Sequence, residues 1–134
     1  MNLETVFDFI KKRRGYNIPF VYKLIKGLPL TEDDLNVEGN LDLYMMKIPS
    51  LPDNLTVGGT LDLRRTYIKY LPDNLTVKGT LILSNNTYIN NFPNNLKVMG
   101  NLYVFNTIFS FYSDEKIRQM IKEKGGHIEG IIRK

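Results

Sequence analysis

Residues 51–83 read LPDNLTVGGTLDLRRTYIKYLPDNLTVKGTLIL, and the architecture of the chain can be inferred from them. The segment LPDNLTV occurs at residues 51–57 and again at residues 71–77, and each copy leads into a G-T-L-x-L sequence. A segment that recurs at such an interval indicates a stack of similar structural units, each of which buries its apolar side chains against its neighbours. We therefore expect a repeat architecture.

Four units appear when the chain is aligned on the glycine of V-x-G. They are DDLNVEGNLDLYMMKIPS, DNLTVGGTLDLRRTYIKY, DNLTVKGTLILSNNTYINN and NNLKVMGNLYVFNTIFS, and the third is one residue longer than the second. The alternation in L-x-L predicts a short strand whose leucines point inward. Because one coil of chain returns each strand to the same side, the strands should stack in parallel. The pattern predicts an α/β repeat protein, a short parallel β-solenoid of about four coils of about 20 residues, resembling leucine-rich repeats and closed by helical caps.

Two kinds of corner recur in these units. The recurring glycine is Gly39, Gly59, Gly79 and Gly100. It predicts a corner where the backbone needs a positive φ or has no room for a Cβ atom. The other corner carries Asn54, Asn74 and Asn95, with Asp34 in the first unit. These side chains either form a hydrogen-bonded ladder or cap their own turns, and local capping is the more common role of Asn and Asp at turns.

The flanking segments have helical character. Apolar residues at helical spacing predict a helix over residues 3–14, and a second short helix, FVYKLIKG, follows Pro19. After the last repeat, Ser113 is suited to cap a third helix, and HIEGIIRK reads as one short final strand that covers the open edge. We predict a single domain over residues 1–134, with an N-terminal cap (1–29), repeats (30–110) and a C-terminal cap (111–134).

Composition argues against most kinds of catalytic site. The chain has 134 residues, one histidine and no cysteine, which excludes thiolate metal ligands and a cysteine nucleophile. It contains neither a phosphate-binding glycine motif nor an apolar run of the about 20 residues that a membrane span needs. The charge order at the N-terminus is the reverse of a secretory signal. We predict a cytoplasmic, non-enzymatic protein with no cofactor, no metal, no small-molecule substrate and no membrane association.

Charge is distributed unevenly along the chain. Residues 1–29 carry six basic and two acidic side chains, residues 30–110 six and eight, and residues 111–134 six and four. Basic ends are weak evidence for nucleic-acid binding. The alternative hypothesis is therefore a nucleic-acid-binding protein that uses its caps, with contacts from Lys11, Lys12, Arg13 and Arg14 and from Lys116, Lys122 and Lys124. A solvated helix end is the simpler explanation of the first run.

The motif L-x-L-x-x-T/N-x-I-x-x-L-P resembles the short leucine-rich repeats of secreted bacterial effectors. The chain is more similar to small repeat proteins of bacteriophages and gut bacteria, which carry LPDNLTVxGxLxL units and an ending like YSDEKIRQMIKEKGGHIEGIIRK. The usual Asn after L-x-L is here Met46, Thr66, Asn86 and Thr107, and V-x-G replaces the second L-P of the effectors. These departures favour a flattened β-solenoid over a horseshoe. The resemblance implies a phage accessory protein that binds and modulates, by inhibition, a host protein such as a defence factor.

The outward positions of the strands are the best candidates for a binding surface. If the leucines point inward, their alternate neighbours face outward, and these vary between units while the framework repeats. The predicted protein-binding residues are Asp42, Tyr44, Asp62, Arg64, Ile82, Ser84, Tyr103 and Phe105. Exposed aromatic residues beside an arginine are typical of protein-binding surfaces. The competing explanation is that the C-terminal helix covers Tyr103 and Phe105.

Overall fold

A computed structural model of the chain describes residues 19–134. The helix predicted over residues 3–14 lies outside the described residues. The described residues fall into two units, one that ends at Leu30 and one that comprises Thr31–Lys134. The first contains helix α1 (Phe20–Lys26), which follows Pro19 and ends at Gly27 with φ 66°. This confirms the prediction of a short second helix between a proline and a glycine.

The second unit is built from pairs of two-residue strands, one pair in each coil. The strands are β1 (Asn36–Val37), β2 (Leu41–Asp42), β3 (Thr56–Val57), β4 (Leu61–Asp62), β5 (Thr76–Val77), β6 (Leu81–Ile82), β7 (Lys97–Val98), β8 (Leu102–Tyr103), β9 (His127–Ile128) and β10 (Ile132–Arg133). The first strand of each pair holds the valine of V-x-G, and the second begins the L-x-L alternation. A short 3-10 helix, η1 (Asp33–Leu35), leads into β1.

The strands form two parallel five-stranded sheets. Sheet A has the order β1-β3-β5-β7-β9, and sheet B has the order β10-β8-β6-β4-β2. Equivalent repeat residues are register partners, as in Leu41 with Leu61, Leu61 with Leu81 and Leu81 with Leu102. The predicted parallel β-solenoid is therefore confirmed, and the helices α1 and α2 (Asp114–Glu123) accompany it.

The core is a spine of stacked aliphatic side chains. The two leucine columns of sheet B and the valine column of sheet A are buried in every coil from the second to the fourth, and Leu63 is completely buried. The register inferred from L-x-L is therefore correct. A further buried column closes the coil on its third side: Ile48, Ile68, Ile89 and Phe109. Each coil thus removes several large apolar side chains from water, and this is the main source of its stability.

The glycine corner meets both physical demands expected of it. Gly39, at the first corner, has φ +74°. Gly79 and Gly100 do not need a positive φ, but a Cβ atom on either would lie 2.7 Å from the carbonyl carbon of the glycine in the preceding coil. Successive corners therefore pack backbone against backbone, and only glycine fits between them.

The asparagine corner forms a ladder. Asn74 Nδ2 donates to Asn54 Oδ1 at 2.8 Å, and Asn95 Nδ2 donates to Asn74 Oδ1 at 2.8 Å. All three residues have positive φ, between 57° and 66°. The preference for local capping was wrong at these positions. Asp34 behaves differently, because its Oδ2 accepts locally from Thr31 N at 2.8 Å.

The C-terminal segment contributes a fifth coil. HIEGIIRK was predicted to form one covering strand, but it forms two, with β9 joining sheet A and β10 joining sheet B. Its I-E-G-I-I sequence reproduces V-x-G-x-L, and Gly130 takes the corner next to Gly100. Helix α2 begins at Ser113, whose Oγ accepts from Lys116 N at 3.1 Å, and the helix lies against β9 with Ile117 and Ile121 buried. The predicted helix start is confirmed.

Among residues 19–134, no helix is both long and apolar enough to cross a membrane.

Candidate protein-binding face

The predicted outward residues form two parallel columns on sheet B. The first runs through Asp42, Asp62, Ile82 and Tyr103, each the register partner of the next, and continues to Arg133 on β10. The second runs through the residues that follow the inward leucines or valine, namely Tyr44, Arg64, Ser84 and Phe105. We call these two columns the strand face. The sequence prediction did not include Arg133, because the fifth coil was not anticipated.

A bidentate ion pair lies at the centre of the strand face. Arg64 Nε donates to Asp62 Oδ1 at 2.9 Å, and Arg64 Nη2 donates to Asp62 Oδ2 at 2.7 Å. Asp62 Oδ1 also accepts from Arg64 N at 3.1 Å, which fixes the carboxylate against the backbone. The side-chain hydrogen bonds to Asp62 raise the pKa of Arg64 above its ordinary value, so the guanidinium stays charged.

A tyrosine of the preceding coil, Tyr44, also contacts the guanidinium of Arg64. Arg64 Cζ lies 4.7 Å from the centre of the Tyr44 ring, within the range of a cation–π contact. Asp42 Oδ1 accepts from Tyr44 N at 3.0 Å and so shapes the turn that carries the ring. Because Arg64 contacts both a carboxylate and a ring, its side chain is held in place while its outer surface stays open to solvent.

Two predicted contact residues are less accessible than expected. Asp62 is 7% exposed and Ser84 is 8% exposed. Arg64 covers the carboxylate of Asp62, and the short side chain of Ser84 does not reach beyond its neighbours. Asp62 is therefore a positioning residue for Arg64. Ser84 is the only small side chain of its column, and lies between the larger side chains of the coils before and after it.

The apolar end of the strand face is accessible. Phe105 is 62% exposed, while Ile82 and Tyr103 are half-buried. Helix α2 lies against β9, which belongs to sheet A, so the alternative in which this helix covers Phe105 is wrong. The accessible strand face therefore consists of Tyr44, Arg64, Ile82, Tyr103 and Phe105, flanked by the exposed carboxylate of Asp42.

The acidic residues and the histidine considered for a polar site make pairwise contacts. Asp42 and Asp62 are register partners, but Asp62 is bound to Arg64. His127 Nε2 lies 3.1 Å from Glu129 Oε1 in an exposed pair. Within residues 19–134, no group of three or more His, Cys, Asp or Glu side chains is arranged to hold a metal ion.

The residues of the nucleic-acid alternative fall partly within the described part of the chain. Lys11, Lys12, Arg13 and Arg14 lie outside the described residues. Lys116 and Lys122 are exposed on α2. Lys124 has a structural role instead, because its Nζ donates to Phe92 O at 2.7 Å and to Asn91 Oδ1 at 3.0 Å. Of the three C-terminal lysines, Lys124 is therefore already engaged by the chain itself.

The sequence reading missed a second surface, which lies on the third side of the coils. After each second strand the chain returns to the L-P corner through a short segment, and we call residues 45–50, 65–70 and 85–91 the return segments. Three exposed tyrosines and two lysines of these segments surround an open cleft of about 930 Å³. The signal is present in the sequence as R-x-Y-x-K-Y and T-Y-x-N, but the sequence analysis interpreted only the framework positions of these segments and not the tyrosines.

Comparison with protein-family models, with curated proteins and with solved structures found no match to this chain.

Proposed function

We propose that this chain is a non-enzymatic protein-binding module whose strand face contacts the partner. The observation that carries the proposal is the ordered guanidinium of Arg64, held by Asp62 and Tyr44 at the surface of a rigid sheet. Arginine and aromatic residues dominate the binding energy of protein interfaces. An arginine that is already ordered loses less conformational entropy on binding than a free one.

The composition of the strand face supports the same proposal. Its N-terminal end is polar, with Asp42 and Arg64, and its C-terminal end is aromatic, with Tyr103 and Phe105. Phe105, in the turn after β8, contributes a large apolar area when a partner covers it. Ser84, between Arg64 and Phe105 in its column, leaves a low point that a partner side chain can enter.

The resemblance of the repeats to small bacteriophage and gut-bacterial repeat proteins supports a more specific form of the proposal. In this form, the module is a phage accessory protein. It acts in the cytoplasm of the host bacterial cell and binds a host protein such as a defence factor, which it inhibits. The leucine-rich-repeat likeness supports an interaction role only by analogy, because one fold serves many functions.

Affinity capture with matched surface variants tests the proposal. The immobilised chain is exposed to host lysate, and captured proteins are identified by mass spectrometry. We expect Arg64→Ala with Phe105→Ala to lose the captured protein. The control is Lys97→Ala with Met99→Ala, which removes an exposed cation and an exposed apolar side chain from the other sheet. The control should retain the captured protein.

Purified partner and isothermal titration then give the affinity of each variant. Truncation of an arginine or aromatic side chain at the centre of an interface typically weakens binding by about tenfold or more. Equal affinities of the strand-face variant and the control would place the binding surface elsewhere and contradict the proposal.

A further inference from the structure

The return segments carry basic side chains but no acidic ones, unlike the rest of the coils. They contain Lys47, Arg65 and Lys69 and no Asp or Glu. All eight acidic side chains of residues 30–110 lie on the strands, on the corners, on η1 or, for Glu32, directly before η1. Although the repeats as a whole are mildly acidic, the charged side chains of the return segments are all basic. Asp53 and Asp73 of the L-P corner line a neighbouring cavity together with Tyr70. A basic surface attracts an anionic partner and repels a cationic one.

Exposed aromatic rings lie among these cations. Tyr67, Tyr70 and Tyr88 are 58%, 76% and 49% exposed. Lys47 and Lys69 line the same open cleft as these three rings. A smaller hollow shares Tyr67 and Tyr88 with the cleft and adds Arg65. We call the set Lys47, Arg65, Tyr67, Lys69, Tyr70 and Tyr88 the tyrosine face.

One of these tyrosines is held in a costly backbone conformation. Tyr67 has φ 66°, in the left-handed region that residues other than Gly, Asn and Asp seldom adopt. Its ring centre lies 5.7 Å from that of Tyr88, at an interplanar angle of 54°. Strained backbone is often found at functional sites. Here the strained residue presents an aromatic ring that is mostly exposed to solvent.

We propose that the tyrosine face binds single-stranded nucleic acid. In this arrangement the bases stack on the exposed rings, and Lys47, Arg65 and Lys69 contact phosphates. Sequence-tolerant single-strand binding in proteins combines these two elements, a cationic track and aromatic platforms. This surface is separate from the strand face, so the proposal goes beyond a protein-binding function and does not depend on it.

The geometry of the rings favours stacking on separate bases. A stacked base needs about 3.4 Å on each side, so rings whose centres are 5.7 Å apart and tilted do not enclose one base between them. Each ring instead offers an outer face to its own base. A duplex hides its base faces and would use only the cations. An acidic polypeptide would also satisfy the cations but has few groups that need three aromatic platforms.

Fluorescence anisotropy with a labelled oligonucleotide of about 12 nucleotides, either oligo-dT or oligo-U, tests the proposal. We expect binding at about 50 mM salt that weakens as salt rises, with a slope of log K against log salt near about −2 for three phosphate contacts. Oligonucleotide duplexes of the same length and polyglutamate serve as competitors. Both should compete at least tenfold less well than the unlabelled single strand.

Variants assign the binding to the tyrosine face. Tyr67→Ala with Tyr88→Ala should weaken binding by about tenfold or more, and Tyr67→Phe with Tyr88→Phe should retain it, because phenylalanine keeps the stacking surface. Lys47→Ala with Lys69→Ala should reduce the magnitude of the salt slope by about 1.4. Lys78→Ala with Lys97→Ala removes two exposed cations outside the face and should leave the affinity unchanged. Thermal unfolding by circular dichroism confirms that each variant is folded.

Several results would overturn the inference. One is the absence of salt-dependent binding at about 50 mM salt. Another is equal competition by the duplex or by polyglutamate, since this would show that the surface recognises charge alone. A third concerns alanine substitution of Lys11, Lys12, Arg13 and Arg14: if it abolishes binding while the alanine variants of Tyr67 and Tyr88 bind normally, the site lies at the N-terminal basic run instead.

Discussion

The guanidinium of Arg64 lies side-on against the carboxylate of Asp62, with Nε 2.9 Å from Oδ1 and Nη2 2.7 Å from Oδ2. Asp62 ends strand β4 and Arg64 lies in the turn that follows, and the two residues alternate with the buried Leu61 and Leu63. The aspartate is nearly buried beneath the arginine, whose side chain is 41% exposed. A carboxylate that would otherwise face solvent thus serves to hold a cation at the surface.

Asp62→Asn tests whether this pair serves binding more than stability. The amide oxygen can still accept from Arg64 N, but the charge that orients the guanidinium is lost. Because Arg64 is substantially exposed and the pair is screened by solvent, the free energy of unfolding should fall by no more than about 1 kcal/mol in urea titrations. Affinity for the captured partner should fall several-fold, as a mobile arginine must be ordered again on binding.

The register partner supplies the control for this prediction. Asp42→Asn changes a carboxylate that accepts from Tyr44 N and that makes no ion pair with Arg64. It should leave the stability close to that of the unchanged chain and lower the affinity less than Asp62→Asn does, because Arg64 stays ordered by Asp62. A loss of more than about 3 kcal/mol from Asp62→Asn would instead identify the pair as a buried structural ion pair.

The middle rung of the asparagine ladder should contribute strongly to stability. Asn74 donates to Asn54, accepts from Asn95 and has φ 59°. Asn74→Ala removes two hydrogen bonds of about 1 kcal/mol each and places alanine in a left-handed conformation that costs about 1 kcal/mol more. We expect the free energy of unfolding to fall by about 2 to 3 kcal/mol.

Asn74→Gly separates the two effects. Glycine adopts the positive φ without strain but lacks the amide, so only the ladder hydrogen bonds are lost. It should be more stable than Asn74→Ala by about 1 kcal/mol in the same urea titration. If both variants unfold like the unchanged chain, the ladder contributes nothing to stability and the corner is held by the backbone alone.

The glycine corner predicts that an added Cβ atom destabilises the chain at Gly79 but not at Gly58. A Cβ atom on Gly79 would lie 2.7 Å from the carbonyl carbon and 2.8 Å from the carbonyl oxygen of Gly59, and the backbone there cannot move away without disturbing the next coil. Gly79→Ala should therefore lower the free energy of unfolding by about 3 kcal/mol or more, or prevent folding. Thermal and urea unfolding measure the effect.

Gly58→Ala is the matched control. Its added Cβ would come no closer than 3.1 Å to another atom, and the equivalent positions of other coils carry Glu38, Lys78 and Met99. The coil geometry therefore accepts a side chain at this position, and the change in stability should be within about 0.5 kcal/mol. Equal destabilisation by the two substitutions would refute the close approach of successive corners.

Much of the solenoid was predictable because its packing demands repeat. Leu41, Leu61 and Leu81 each meet the same neighbours, so the same residue type recurs and the period reveals the coil. The fifth coil was not predicted because isoleucines, Ile128 and Ile132, replace the valine and leucine of the V-x-G-x-L motif. Only Gly130 is identical to the motif residue. A search for V-x-G-x-L by residue class, with isoleucine allowed, would have found it.

The candidate sites were less predictable, because they lie where the sequence varies. Alternation placed Arg64 and Phe105 on the outside correctly, but it did not reveal that Asp62 would be covered by its own neighbour. The tyrosine face was missed because its rings do not fill one column. Tyr67 and Tyr88 each precede the buried isoleucine of their coil, but Lys47 takes that place in the first coil, and Tyr70 lies in another column, with Ser50 and Asn91. The left-handed backbone at Tyr67 has no counterpart at Lys47 or Tyr88, so no repeat pattern indicates it.

The left-handed backbone at Tyr67 predicts a reversed order of stability between two substitutions. Glycine relieves a conformation that costs other residues about 1 to 2 kcal/mol, whereas alanine keeps that cost. Tyr67→Gly should therefore be more stable than Tyr67→Ala by about 1 kcal/mol in urea unfolding. At Tyr88, where φ is not positive, the usual order should hold, with the alanine variant more stable than the glycine variant by about 0.5 to 1 kcal/mol. The ring contact between the two tyrosines is lost in all four variants, so it cancels from each comparison.

If alanine is the more stable substitution at both positions, Tyr67 is not strained, and the tyrosine face loses that part of its support. If the order reverses only at Tyr67, the chain keeps an unfavourable backbone to display that ring, as expected of a residue retained for binding.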